Sequence, residues 1–153
     1  MDFKQGLIII ISGMVGTVGF SLLFKAPKRR VLLNSVGGML TCLIYVLCCN
    51  SFELEFYQNF FPAIVATVYA EIMARVVKAP STPILACSII PLVPGGKLYY
   101  TTYYFVAGEM ELFRETLMQL LSIAGGLAVG IICISVVVNE INRHKFKQII
   151  DVE

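Results

Sequence analysis

The chain has 153 residues, 58% of them hydrophobic and 14% charged, with a mean hydropathy of +0.81 and a formal net charge of +2. A soluble globular domain carries about 25% charged residues, so this composition excludes an ordinary water-soluble domain and reads as an integral membrane protein. The small net charge gives no footing for nucleic acid, and the cysteines at 42, 48, 49, 87 and 133 lie in apolar runs without C-x-x-C or Cys/His spacing, so no metal site is expected.

Residues 6–24 carry no charge and are long enough to cross a hydrocarbon core of ~30 Å. The run is longer than the apolar core of a signal peptide, and no small-x-small cleavage motif precedes Lys25-Ala26-Pro27, so it is expected to remain as a first span. Lys25, Lys28, Arg29 and Arg30 surround Pro27, after which the apolar sequence resumes as a second span over 31–49. A short acidic linker with Glu53 and Glu55 follows, then a third span over 56–77 that carries Glu71 and Arg75.

The segment from Pro80 to Tyr104 breaks the pattern. It holds prolines at 80, 83, 91 and 94, glycines at 95 and 96, Lys97, and tyrosines at 99, 100, 103 and 104, yet residues 84–93 are almost wholly apolar. Pro91 and Pro94 bring no amide donor, which frees the carbonyls of Cys87 and Ile90, and Val93-Pro94-Gly95-Gly96 has the composition of a type II turn. The spacing predicts a fourth span over 84–108, broken at Pro91–Gly96 into half-helices 84–92 and 97–107 of about 13 and 16 Å. Non-helical backbone at membrane depth survives where protein or a wet cavity satisfies it, and broken helices of this kind build transporter binding sites.

A fifth span over 116–138 is rich in glycine, and the tail 139–153, with Arg143, His144, Lys145 and Lys147 beside Ile141, Phe146, Ile149 and Ile150, reads as an interfacial helix. The fold class is therefore all-α, a single integral membrane bundle of five transmembrane helices. Five crossings put Lys25, Lys28, Arg29, Arg30, Arg75, Lys78, Arg143, Lys145 and Lys147 on one side, with Lys4 and Arg114 opposite and Lys97 at depth. The positive-inside rule then sets the N-terminus outside and the tail in the cytoplasm, at the plasma (inner) membrane. A re-entrant hairpin in place of the fourth crossing would put the basic tail outside.

Lys97 is the most informative residue. It begins a helix whose N-terminus is already partly positive, so a cation there is unfavourable unless an anion resolves the conflict. A substrate carboxylate at Gly95-Gly96-Lys97 would meet backbone donors, the dipole and an ammonium together, with glycine permitting close approach. The plainer alternative is that Lys97 snorkels or pairs with Glu71. Glu71 and Arg75, four apart on one face, fit either an ion pair near the cytoplasmic end or a role in proton coupling or substrate binding. The tyrosines stack at i and i+4 and fit an outer aromatic belt, Tyr99 being the better candidate for lining a cavity. Ser12, Gly13, Gly16 and Gly19 in the first span, and Ser122, Gly125, Gly126 and Gly130 in the fifth, are spaced for close helix contact.

Pro91-Leu92-Val93-Pro94-Gly95-Gly96 followed by Tyr99, with Pro80 and Pro83 upstream and five spans in this length, resembles the threonine/serine exporter family. More narrowly, the chain resembles the short subunit of its split form, the counterpart of the C-terminal half of the single-chain exporters. The resemblance implies a larger partner subunit that supplies five more spans and a soluble N-terminal domain, with a homo-oligomer as the alternative assembly. It also implies export of threonine/serine-type amino acids, the alternatives being a small dicarboxylate such as succinate or a non-transporting assembly subunit. An enzyme is not expected: His144 is the lone histidine and lies in the tail, there is no H-E-x-x-H or Walker loop, and no cofactor is implied.

Overall fold

The computed structural model describes the backbone of residues 3–150 and the side chains of residues 4–141 and Arg143. Six α-helices and one 3₁₀ turn follow in order: α1 Phe3–Leu23, α2 Lys28–Ser51, α3 Glu55–Val77, α4 Ser81–Ile89, the 3₁₀ turn Ile90–Leu92, α5 Gly95–Ala107 and α6 Met110–Ile150. Among the described residues there is no strand, as the all-α expectation required. By length and composition α1, α2, α3 and α6 can each cross a membrane, and α4 with α5 pass that test together as one span bent by 57°. That makes four spans, or five if the bent pair is one.

Each helix stops where the local chemistry stops it. Pro27 and Pro80, at φ −61° and −59°, precede α2 and α4, fixing φ where no intrahelical donor is needed. Lys78 closes α3 in the left-handed conformation and Gly108 closes α5 at φ 77°; at Gly108 only glycine takes that conformation without strain. Pro62 lies inside α3, fully buried, and removes the donor that would reach the Gln58 carbonyl.

The packing is a chain of neighbours: α1 on α2, α2 on α3, α3 on α6, with α4 docked against the α2–α3 pair and α5 against α6. Where helices touch, the facing residues are small. A Cβ at Gly13 would run into Cys42 Sγ, one at Gly38 into Thr17, one at Gly37 into Ser88, one at Gly126 into the Phe56 carbonyl oxygen, and one at Gly130 would lie 2.7 Å from the Phe60 carbonyl oxygen. Gly126 and Gly130 thus set the α3–α6 contact, and Ala63, Ala66, Ala70 and Ala74 continue α3's buried face. Gly16 and Gly19, expected to pack in the same way, have nothing within 4 Å of such a Cβ. Two close-packed glycines of α2, Gly37 and Gly38, were not singled out from sequence.

The core is polar for a protein interior, and most of that polarity is satisfied inside single helices. Thr17, Thr41, Thr67 and Ser88 are buried and donate to the carbonyls of Gly13, Gly37, Ala63 and Ile84 at 2.7–2.8 Å, so no water is needed to partner the hydroxyls. Large apolar side chains face outward instead, among them Ile8, Leu22, Leu32, Val76, Ile132 and Val136. That inversion suits lipid as the surrounding solvent, where a hydrocarbon surface carries no penalty.

The helix that holds the expected fifth span, 116–138, extends beyond it at both ends. Glu111, Arg114 and Glu115 lie in the first turns of α6, and the tail continues the same helix to Ile150. No proline stands between Glu109 and Ile150, and the glycines at 125, 126 and 130 are held by packing against α3, so helical propagation carries through. The expected basic and apolar faces of the tail fall mostly on side chains outside the described residues.

Candidate substrate cleft at the broken helix

The break is built differently from a type II turn. Pro83 sits in the first turn of α4, where its missing N–H costs nothing, so that helix starts three residues before the expected 84. Ile90 then opens a 3₁₀ turn, and its carbonyl, expected to be free, accepts the Val93 N–H at 3.0 Å. Pro94 adopts φ −79° and ψ 58° with the Gly95 N–H bonded to the Val93 carbonyl at 2.8 Å, an inverse γ-turn. Gly95 has no positive φ and is the first residue of α5, which removes the type II geometry.

This sharp turn separates the two half-helices onto different neighbours, α4 on α2 and α3 and α5 on α6. A cleft of about 750 Å³ opens where the break faces α1, α2 and the start of α3. Pro91, Pro94, Gly95, Gly96 and Lys97 all line it, together with Ser12, Gly13 and Gly16 of α1, Tyr45 of α2, and Glu55, Gln58 and Asn59 of α3. Gly95 and Gly96 have empty space where a Cβ would stand. Among the described residues the N–H groups of Gly96 and Lys97 have no backbone acceptor, as expected for the first turn of a helix. The N-terminus of α5 therefore brings unpaired donors and partial positive charge to the cleft wall.

The partners of Lys97 are not those expected. Its ammonium donates to Gln119 Oε1 of α6 and lies 3.3 Å from Glu55 Oε1 at the start of α3. Glu71 is half-buried further along α3, outside the cleft, and among the described residues it pairs with neither Lys97 nor Arg75, which is exposed. The reason is one of level: α4 turns back along α3 from its far end, and Lys97 lies sixteen residues past the start of α4, so it arrives beside the first residue of α3, whereas Glu71 is six residues from that helix's other end. A pair of this exposure, 36% and 28%, contributes about 1 kcal/mol or less. The other carboxylate oxygen of Glu55, Oε2, is buried and has no hydrogen-bond partner.

The tyrosines also divide differently. Tyr100 lines the cleft and stacks on Tyr104 with ring centroids 6.2 Å apart, whereas Tyr99 is 65% exposed and meets Tyr100 edge-on at 5.4 Å. A helix turns 100° per residue, so the neighbour of an expected lining residue takes the inward position. Glu55, Gln58, Asn59 and Gln119 were missed as site residues. Glu55 reads in sequence as linker, and only the arrival of Lys97 beside it marks it.

A family model described as threonine/serine exporter, ThrE, matches residues 9–137. Comparison with curated proteins and with solved structures gives no significant match. The matched region contains α2 to α5, most of α1 and α6, and every residue of the cleft wall, and the apolar helices make this a multi-pass membrane protein. The chain belongs to the threonine/serine exporter family, a family of transporters.

Proposed function

We propose that the chain is one subunit of a secondary active exporter of small carboxylate-bearing metabolites of the threonine/serine type. It works with a larger partner subunit in the plasma (inner) membrane, its N-terminus outside and its C-terminus cytoplasmic. The observation that carries the reading is the cleft at the break, where Gly95, Gly96 and Lys97 gather open space, unpaired N–H groups and an ammonium. A carboxylate is the ligand group that this combination favours, since each of the three stabilises negative charge.

Partnership is supported by α5. Its neighbour in the bundle is α6, while Leu98, Tyr99, Tyr103, Phe105 and Val106 are all more than half exposed. The contact of Phe56 with Gly126 also means that α6 begins roughly 20 Å beyond the start of α3, so the α5–α6 hairpin overhangs the rest of the bundle. A second half packed along that overhang completes a site built at the junction of two repeats.

The test is efflux of labelled threonine, serine and succinate from cells expressing the chain with and without a candidate large subunit. Efflux that needs both polypeptides is the expected result. Substrate-specific efflux from reconstituted chain alone would overturn the two-subunit reading, and no chain-dependent efflux of any of the three would overturn export of this class.

A further inference from the structure

The charges on the cleft wall are one of each sign. Of the residues that line it, Glu55 is the one acid and Lys97 the one base, and the remainder are apolar or neutral polar groups. The two face each other at 3.3 Å across the junction of α3 and α5. Each also has a feature that an internal ion pair does not account for. Lys97 sits at a helix N-terminus that already favours an anion, and Glu55 keeps one buried oxygen, Oε2, without any donor. A buried carboxylate oxygen without a partner is uncommon in a finished structure and calls for a donor that is absent.

We infer that Glu55 is the specificity-determining residue of the cleft: it receives the ammonium of an α-amino acid whose carboxylate is held at Lys97 and the first turn of α5. This rests on the carboxylate-export reading above and adds to it the residue that recognises the amino group. The charge balance is the physical reason. A zwitterion inserted between Glu55 and Lys97 replaces one ion pair by two and leaves the site neutral. A dicarboxylate brings two negative charges to a wall whose single lysine is already matched by Glu55, and its second carboxylate faces that glutamate with like charge. Gln119 keeps Lys97 oriented when its carboxylate partner changes, because its Oε1 accepts from the ammonium without competing in charge.

The experiment compares threonine, 3-hydroxybutyrate (the same skeleton without the amino group) and succinate in cells expressing the full chain with its native partners. It reads chain-dependent export and the half-saturation of each compound. For the parent, threonine is expected to half-saturate at a concentration at least tenfold below either analogue. Glu55→Gln should raise the threonine value tenfold or more while leaving 3-hydroxybutyrate unchanged or better, because Lys97 is released from its internal partner. Glu55→Asp should keep the preference for threonine. Succinate or 3-hydroxybutyrate handled as well as threonine by the parent overturns the inference without any variant and leaves carboxylate export standing. An equal change in all three ligands for Glu55→Gln, at normal membrane level, also overturns it by making Glu55 a structural charge. Absence of chain-dependent export of all three overturns the carboxylate-export reading itself, and this inference with it.

Discussion

Asn34 of α2 donates its side-chain amide to Ser21 Oγ of α1 at 3.0 Å, and both residues are buried. The bond joins the first two helices through their side chains, and the oxygen of that amide, Asn34 Oδ1, has no donor among the described residues. Interhelical bonds in membranes average about 0.6 kcal/mol, with a maximum near 1.7. Ser21→Ala should therefore lower stability by about 0.5–1.5 kcal/mol, read as reduced resistance of the purified protein to heat or denaturant. Asn34→Leu removes both the bond and the orphaned oxygen, so it should cost less than Ser21→Ala if its shape is tolerated. Equal stability of Ser21→Ala and the parent would mean that the bond contributes nothing.

The α3–α6 seam depends on the absence of a side chain at Gly126, where a Cβ meets the backbone carbonyl of Phe56. A backbone atom cannot rotate away, so Gly126→Val should exceed the usual overpacking cost of about 1–3 kcal/mol and strongly reduce the amount of folded protein in the membrane. Gly19→Ala is the matched control, since nothing lies within 4 Å of its Cβ. Similar yields for the two variants would show that the seam is looser than the geometry implies.

At the break, Gly96→Val should insert and accumulate normally because its side chain points into open space, while export falls because a ligand loses that space. Lys97→Gln keeps length and some hydrogen bonding but removes the charge. A hydrogen bond to a charged group contributes about 1.5–3 kcal/mol, so the half-saturation for export should rise roughly ten- to a hundredfold. Unchanged half-saturation and rate in Lys97→Gln would make Lys97 a structural charge and move the anion site elsewhere.

Tyr100 lines the cleft and Tyr99 does not. An aromatic contact contributes about 0.5–1.5 kcal/mol, so Tyr100→Ala should weaken substrate affinity roughly two- to tenfold, with Tyr99→Ala within twofold of the parent. The reverse order of effects, measured at equal membrane level, would place the pathway on the other face of α5.

Five crossings put the α2–α3 and α5–α6 turns on one side of the membrane and the α1–α2 and α3–α4 turns on the other. A reporter active only outside the cytoplasm should respond when fused at Glu53 or Glu109 and stay silent when fused at Arg29 or Glu153. Activity at Glu153 with silence at Glu53 would invert the bundle.

The spans and the break were legible in the sequence because both are local. An uncharged run of twenty residues has one stable form in lipid, a helix that satisfies its own backbone, and Pro91, Pro94 and the paired glycines interrupt that form wherever they stand. The cleft-lining positions from Pro91 to Lys97 followed from the same local chemistry. What the break looks like did not, because a Pro-Gly-Gly segment is compatible with several turns and the α5 helix begins at Gly95 once its axis is held against α6. Tertiary structure alone decided the partners of Lys97. Glu71 is an ionisable group inside an apolar span and draws attention in sequence, whereas Glu55 ends a linker and does not; which of them Lys97 meets depends on the distance that α4, the 3₁₀ turn and the γ-turn together run back along α3. That distance is a sum of rises over packed elements, and no pattern of residue types records it.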